Sequence, residues 1–278
     1  GTGLESGHPS PRSSHQPIIQ PENQTIKSGD HTQLPSVLGT SSTFGTFGGT
    51  AGMTNQGIYT VINGDIGTIA TTTSSITGFH DTAGDIYTQT PLNIGSVNGT
   101  IYTCTVSTTG PTITINPAYC AIATQAVADA RTAYGTLSAM AVTGTAPANL
   151  GGQTIQPGVY SSSTSFAITG GDLTLDPLGN ANAVWVFKSA SSLTVGDTSP
   201  RNVILIPPAQ AKNVYWQVGS AATINGVGGG TMEGTIISQS GATFSTAGNV
   251  ALVTLNGRVL SLGASVTMVN TVINVPAP

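Results

Sequence analysis

Apolar and polar positions alternate with a period of two along much of the chain, and in the C-terminal part they repeat as a phrase. It reads Ser192-Leu193-Thr194-Val195, then Ala221-Ala222-Thr223-Ile224, Gly241-Ala242-Thr243-Phe244 and Ser265-Val266-Thr267-Met268. Successive side chains of a strand point to opposite faces. The apolar neighbours of each Thr therefore go inward together, and the Thr and the small residue two before it go outward. The threonines at 223, 243 and 267 are spaced by 20 and 24 residues, about one turn of a parallel β-helix and too regular for hairpins. Ser75-Ile76-Thr77 and Ser165-Phe166-Ala167-Ile168 are earlier echoes. Stacked turns are expected to bring Ser75, Thr77, Ser165, Ala167, Ser192, Thr194, Ala221, Thr223, Gly241, Thr243, Ser265 and Thr267 onto one flat working face.

The same alternation, broken by Gly, predicts further strands from Leu34 onward, at Phe44–Gly49 and Tyr59–Gly67. Val184-Trp185-Val186-Phe187 reads as a core-forming run, and Val214–Gly219 and Leu255–Leu260 hold corresponding places ahead of later copies, which implies a second face. One segment changes period. From Asn116 to Met140, Ile122, Ala126, Val127, Ala130, Ala133, Tyr134 and Leu137 recur at helical spacing, with Asn116 as cap and Pro117 at the first position. This narrow, Ala-rich stripe predicts a helix lying close along a β surface. Asp129 and Arg131 point away from it and are given no role beyond solvation. Residues 81–115 are less regular and read as a cap or crossing region. Residues 1–33, rich in Pro, Ser, His and Gln, read as a flexible leader, native or in part an expression remnant, followed by a solenoid domain over 34–278.

Composition narrows the function classes. Charged residues make up 6% of 278, against a usual quarter, so Ser, Thr, Asn and Gly must cover the surface. A hydrophobic fraction of 38% opposes disorder for most of the length. The net charge is −4 and the seven Lys and Arg are scattered, leaving no patch to neutralise phosphates, so nucleic acid is not expected as a partner. No run of 18 apolar residues is present, so no membrane span is expected, and any signal peptide is expected to have been removed.

Cys104 and Cys120 are too few for a zinc site without a nearby His, and His8, His15 and His31 are irregularly spaced, so neither metal nor cofactor is expected. The cysteines form either a disulfide, stabilising by about 3 kcal/mol and requiring an oxidising compartment, or two free buried thiols. Asn23 and Asn98 head glycosylation sequons, in weak agreement with export.

Taken in order from residue 34 to the end, several phrases resemble the widespread microbial ice-binding protein family, secreted by cold-adapted bacteria, fungi and algae. They are Val61–Gly67, Ile76–Phe79, Pro157–Tyr160, Val184–Phe187, Asn213–Gly219 and Asn256–Leu260. The resemblance implies a mainly β fold, a right-handed discontinuous parallel β-solenoid of triangular section with one long α-helix packed alongside, its N-terminal coil closing against C-terminal ones. It also implies that the face bearing the Thr phrase binds ice, in a secreted monomer. Some relatives carry a Thr-Ala/Gly-x-Thr/Asn motif there. Ser220-Ala221-Ala222-Thr223 and Ser240-Gly241-Ala242-Thr243 fit it with Ser first, which adds Ser220 and Ser240 to the face. Thr246-Ala247-Gly248-Asn249 fits literally but falls past Thr243, at an expected turn. Ala167 in a Thr column and Asp172 before Thr174 depart from it.

Two other classes stay open on the residues. A carbohydrate-binding or adhesive solenoid would use aromatics, yet Trp185 and Trp216 both lie in core-like strands. A polysaccharide-cleaving enzyme needs converging carboxylates, whereas Asp65, Asp85, Asp172, Asp176 and Glu233 share no phrase position. A non-enzymatic ice binder is the reading favoured by the phrases.

Overall fold

The computed structural model describes residues 37–278; His8, His15, Asn23, His31 and the leader expected over 1–33 lie outside them. Strands from successive turns pair in parallel, stacking eight coils around three faces. On the first face the order is Phe166–Ile168, Leu193–Val195, Ala222–Ile224, Ala242–Phe244, Val266–Val269, 53–56 and Ile76–Thr77. On the second it is Gly158–Ser162, Trp185–Ser189, Val214–Val218, 235–238, 258–261, Phe44–Gly48, Asp65–Gly67 and Ile101–Tyr102. The third runs through Thr154–Ile155, Leu173–Leu175 and Val203–Leu205, and then separately through 231–233, 253–256, Thr271–Asn274, 61–63 and 95–97.

The solenoid is discontinuous because its sixth coil is made from both ends of the described chain. Thr271–Asn274 supplies the third-face strand, while Phe44–Gly48 and 53–56 supply the other two. The N-terminal segment is thus clamped between the coil ending in Val266–Val269 and the coil containing Ile76–Thr77.

Equivalent positions of successive coils fall in register, so like side chains stack inside. Tyr160, Phe187 and Trp216 are aligned and pack ring on ring at 5.6 and 4.4 Å. The run Val184–Phe187 is apolar throughout because both of its sides are covered: Trp185 and Phe187 enter the solenoid core, Val184 and Val186 the layer beneath the helix.

The helix spans Pro117–Ala139, with Asn116 Oδ1 accepting from the amides of Ala118 (3.0 Å) and Tyr119 (3.2 Å). It buries Ala123, Ala126, Val127, Ala130, Ala133 and Leu137 against the second face. Ile122, expected in that stripe, is instead exposed; Ala123 takes the inward place, where a small side chain permits closer approach to the sheet. At the C-terminal end Lys188 Nζ donates to the carbonyls of Ser138 (3.0 Å) and Met140 (2.6 Å), meeting acceptors that the helix leaves free. Asp129 does more than face solvent, contrary to its sequence reading. Its Oδ2 accepts from Thr40 N (2.8 Å) and Oγ1 (2.7 Å), fastening the Gly39–Thr43 turn to the helix.

Residues 79–115 cover the end of the stack beyond Ile76–Thr77, with Phe79–Asp81 and Ile86–Tyr87 pairing antiparallel. Cys104 and Cys120 are disulfide-bonded, joining this segment to the first turn of the helix.

Candidate functional site

Four strands of the first face, 193–195, 222–224, 242–244 and 266–268, have an apolar-Thr-apolar core that buries its outer two members and leaves the middle one out. The register aligns Ala167, Thr194, Thr223, Thr243, Thr267, Thr54 and Thr77 in a single rank. Six of the seven are threonines. Leu193, Val195, Ala222, Ile224, Ala242, Phe244, Val266 and Met268 lie beneath them in the core. Neighbouring strands are held by amide–carbonyl bonds of 2.8 to 3.2 Å running from Phe166 through to Ser75.

Thr194, Thr223 and Thr243 are exposed, and Thr54, Thr77 and Thr267 are half-buried. Thr77 Oγ1 donates to Thr54 Oγ1 at 3.1 Å. The hydroxyls of Thr194, Thr223, Thr243 and Thr267 have no protein partner among the described residues and are free to bond water. No ionisable residue occurs in these seven strand segments. The nearest carboxylate in sequence, Asp197 at the corner after Val195, is held down to about 2 by the amides of Gly170 and Ser199 and by Arg201. Its charge is thereby engaged at the corner rather than presented on the face.

The column two residues earlier is less uniform than the alternation predicts. Ser192, Ala221 and Ser265 border the rank at the expected place, with Ser165 at its end, but Ser75 and Gly241 are buried. Ser75 has to be removed from the accessible face: its hydroxyl turns back to Thr72, bonding both the carbonyl and Oγ1 of that residue. Gly241 and Gly52 hold this column at left-handed φ values of 108° and 100°. A Cβ on Gly52 would meet Ser75 O at 1.9 Å, so the two coils approach this closely only through glycine. Ser220 and Ser240 lie one residue before the column, in the bend between the second and first faces, where Ser240 N donates to Ser220 O. Thr246–Asn249 forms the expected turn, closed by Asn249 N to Thr246 O. Asp172 and Thr174 belong to the third face and so do not interrupt the rank.

Thr54 was not among the residues expected on the face. Gly52-Met53-Thr54 begins like the other copies, but Asn55 stands where an apolar residue is usual. Asn55 is buried with its amide donating to the carbonyls of Gly57 and Gly78. The carboxylates considered for catalysis serve turns and corners instead. Asp65 accepts from Thr43 and Thr100, Asp85 from Thr112, Asp172 from Asn202 and Asp176 from Leu178. Glu233 ends a chain of amides in which Asn98 donates to Asn63, Asn63 to Asn274, Asn274 to Asn256 and Asn256 to Glu233, at 2.7 to 3.0 Å. Asn98, named as a sequon, is exposed at the start of this ladder.

A family model described as Ice-binding-like matches residues 47–274. An ice-binding protein of Nostoc sp. is 37% identical over 238 residues, covering 84% of this chain and 71% of that protein. One from Leucosporidium sp. is 33% identical over 225 residues, covering 78% and 76%. Among solved structures, that of an ice-binding protein from the Antarctic ascomycete Antarctomyces psychrotrophicus superposes with a TM-score of 0.67 at 32% identity, covering 87% of this chain and 98% of that one.

Proposed function

Because the chain belongs to the ice-binding-like family, we propose that it adsorbs to ice through the threonine rank of the first face and restrains crystal growth and recrystallisation. The observation that carries this reading is the rank itself, six threonines and one alanine in register on an uncharged sheet. Seven positions ~4.8 Å apart give a rigid row roughly 29 Å long, with a repeat that can approach a spacing of the ice lattice. Thr is stiff at χ1, so its methyl and hydroxyl are held in place with little entropy left to lose on binding. Water that bridges the hydroxyls and cages the methyls forms an ordered layer that merges with ice. Charges would orient water against that order. A front pinned by adsorbed molecules must bulge between them, and its curvature opposes further growth.

The protein acts without catalysis on this reading, as a monomer outside the cell. The disulfide supports an oxidising compartment. Trp185 and Trp216 are buried, so neither offers a stacking platform to a sugar.

Thermal hysteresis and crystal shaping of Thr223→Tyr and Thr243→Tyr test the assignment. Each substitution is expected to lower hysteresis by about half or more, because a ring standing above the sheet holds several members of the rank, ~4.8 Å apart, off a rigid partner. Wild-type hysteresis in both folded variants rejects this face, and an inactive parent protein rejects the function.

A further inference from the structure

On the opposite side of the solenoid, beneath the Gly39–Thr43 turn, lies a cavity of about 430 Å³ that ice binding does not use. Its wall carries Arg258, Lys212 and Asp65, and the last residue, Pro278, also lines it. Arg258 is only 5% exposed, yet its recorded partners are neutral: Nε donates to Ser42 O at 2.7 Å and Nη1 to Thr235 Oγ1 at 2.9 Å. Lys212 lines the same space. Among the described residues the one ion pair is Arg201 with Asp197, so neither cation has a carboxylate partner. Asp65, also on the wall, already accepts from Thr43 Oγ1 and Thr100 N. The Tyr215 hydroxyl borders the cavity without a hydrogen-bond partner among the described residues, and Val275 and Pro276 add apolar wall.

A guanidinium withdrawn from water is costly unless an anion or enough acceptors replace its hydration, and two neutral acceptors do so only in part. We propose that this cavity binds a small organic carboxylate, its charged end between Arg258 and Lys212 with the Tyr215 hydroxyl donating, and its short apolar body against Val275 and Pro276. A carboxylate answers both the fork of donors and the guanidinium charge that the two neutral acceptors leave unmatched. A neutral amide of the same shape answers neither.

Calorimetric titration of the whole chain with hexanoate, at low salt and neutral pH, tests the proposal beside hexanamide and hexylammonium. Saturable binding is expected for hexanoate alone. Lys212→Met removes a cation that bonds no other side chain among the described residues and is expected to weaken hexanoate roughly ten- to a hundredfold, while thermal hysteresis stays at the parent value. Arg258→Met is expected to abolish binding, and should it fail to fold, Lys212→Met and Tyr215→Phe carry the test. Equal binding of hexanamide, an unchanged affinity in Lys212→Met, or no heat where a millimolar site would be saturated overturns the proposal. Because Lys212 is remote from the threonine rank, loss of carboxylate binding and loss of ice activity are read separately.

Discussion

Threonine offers a strand both a methyl and a hydroxyl at fixed positions, and at position 54 that pair completes a rank whose other members come from distant parts of the chain. Thr54 sits between Thr267 and Thr77, bonded to the latter through its hydroxyl. Thr54→Tyr is therefore expected to reduce thermal hysteresis as strongly as Thr223→Tyr, with an unchanged far-ultraviolet spectrum. Activity equal to the parent would confine the working surface to the C-terminal coils. Ala167, half-buried between Thr194 on one side and Asn149 on the other, is the position for the reverse experiment. Ala167→Thr extends the hydroxyl row by one coil and is expected to raise hysteresis.

Between the third and second faces, the amide ladder from Asn98 to Glu233 ties five coils through side chains alone. Glu233 is its terminus, and burial, partly offset by the Asn256 hydrogen bond, raises its carboxyl above the ordinary value of 4.5. A raised folded-state pKa means that the folded protein holds the proton more tightly than the unfolded chain. The group's contribution is most favourable below about 4.5 and declines as pH rises through the folded value. Glu233→Gln keeps the acceptor for Asn256 and removes the titration. The variant is expected to melt higher than the parent at pH 7, with the gap closing below pH 4; a gap of the opposite sign at pH 7 would contradict the desolvation argument. A second element-level device is the disulfide between the end cap and the helix. Replacing both cysteines by serine is expected to cost about 3 kcal/mol in urea unfolding, the closure entropy of a short loop.

Over the whole molecule, the composite sixth coil makes the two ends of the described chain mutually dependent. Thr46 pairs with Val259, and Val61 with Val272. Such separations in sequence are costly to close, which favours slow, cooperative folding. Amide hydrogen exchange gives this a measurable form. The amides of Met53 and Val266, bonded to Ser75 and Gly52 in the middle of the stack, are expected to exchange only through global unfolding. Those of Leu150 and Gln153, in the coil with a neighbour on one side only, are expected to exchange by local opening. Equal protection at the two places would indicate a stack that opens as one unit from end to end.

Much of this architecture is legible from local chemistry. Alternation about a central Thr marks the first-face strands, because a period of two maps directly onto inside and outside. The capped, Ala-rich segment after Asn116 marks the helix for a similar reason: its signals lie within a few residues of each other. What local pattern does not decide is who stands next to whom. Thr54 joins the rank because an N-terminal strand is inserted against Val266–Val269, and Ser75 leaves the accessible face because its hydroxyl finds Thr72. Likewise Asp129 gains a partner 89 residues away, and Arg258 meets Ser42 across 216. A sequence specifies the inward and outward sides of each strand through its own side chains, whereas neighbours, burial and unpaired charge arise only when separate coils close on one another.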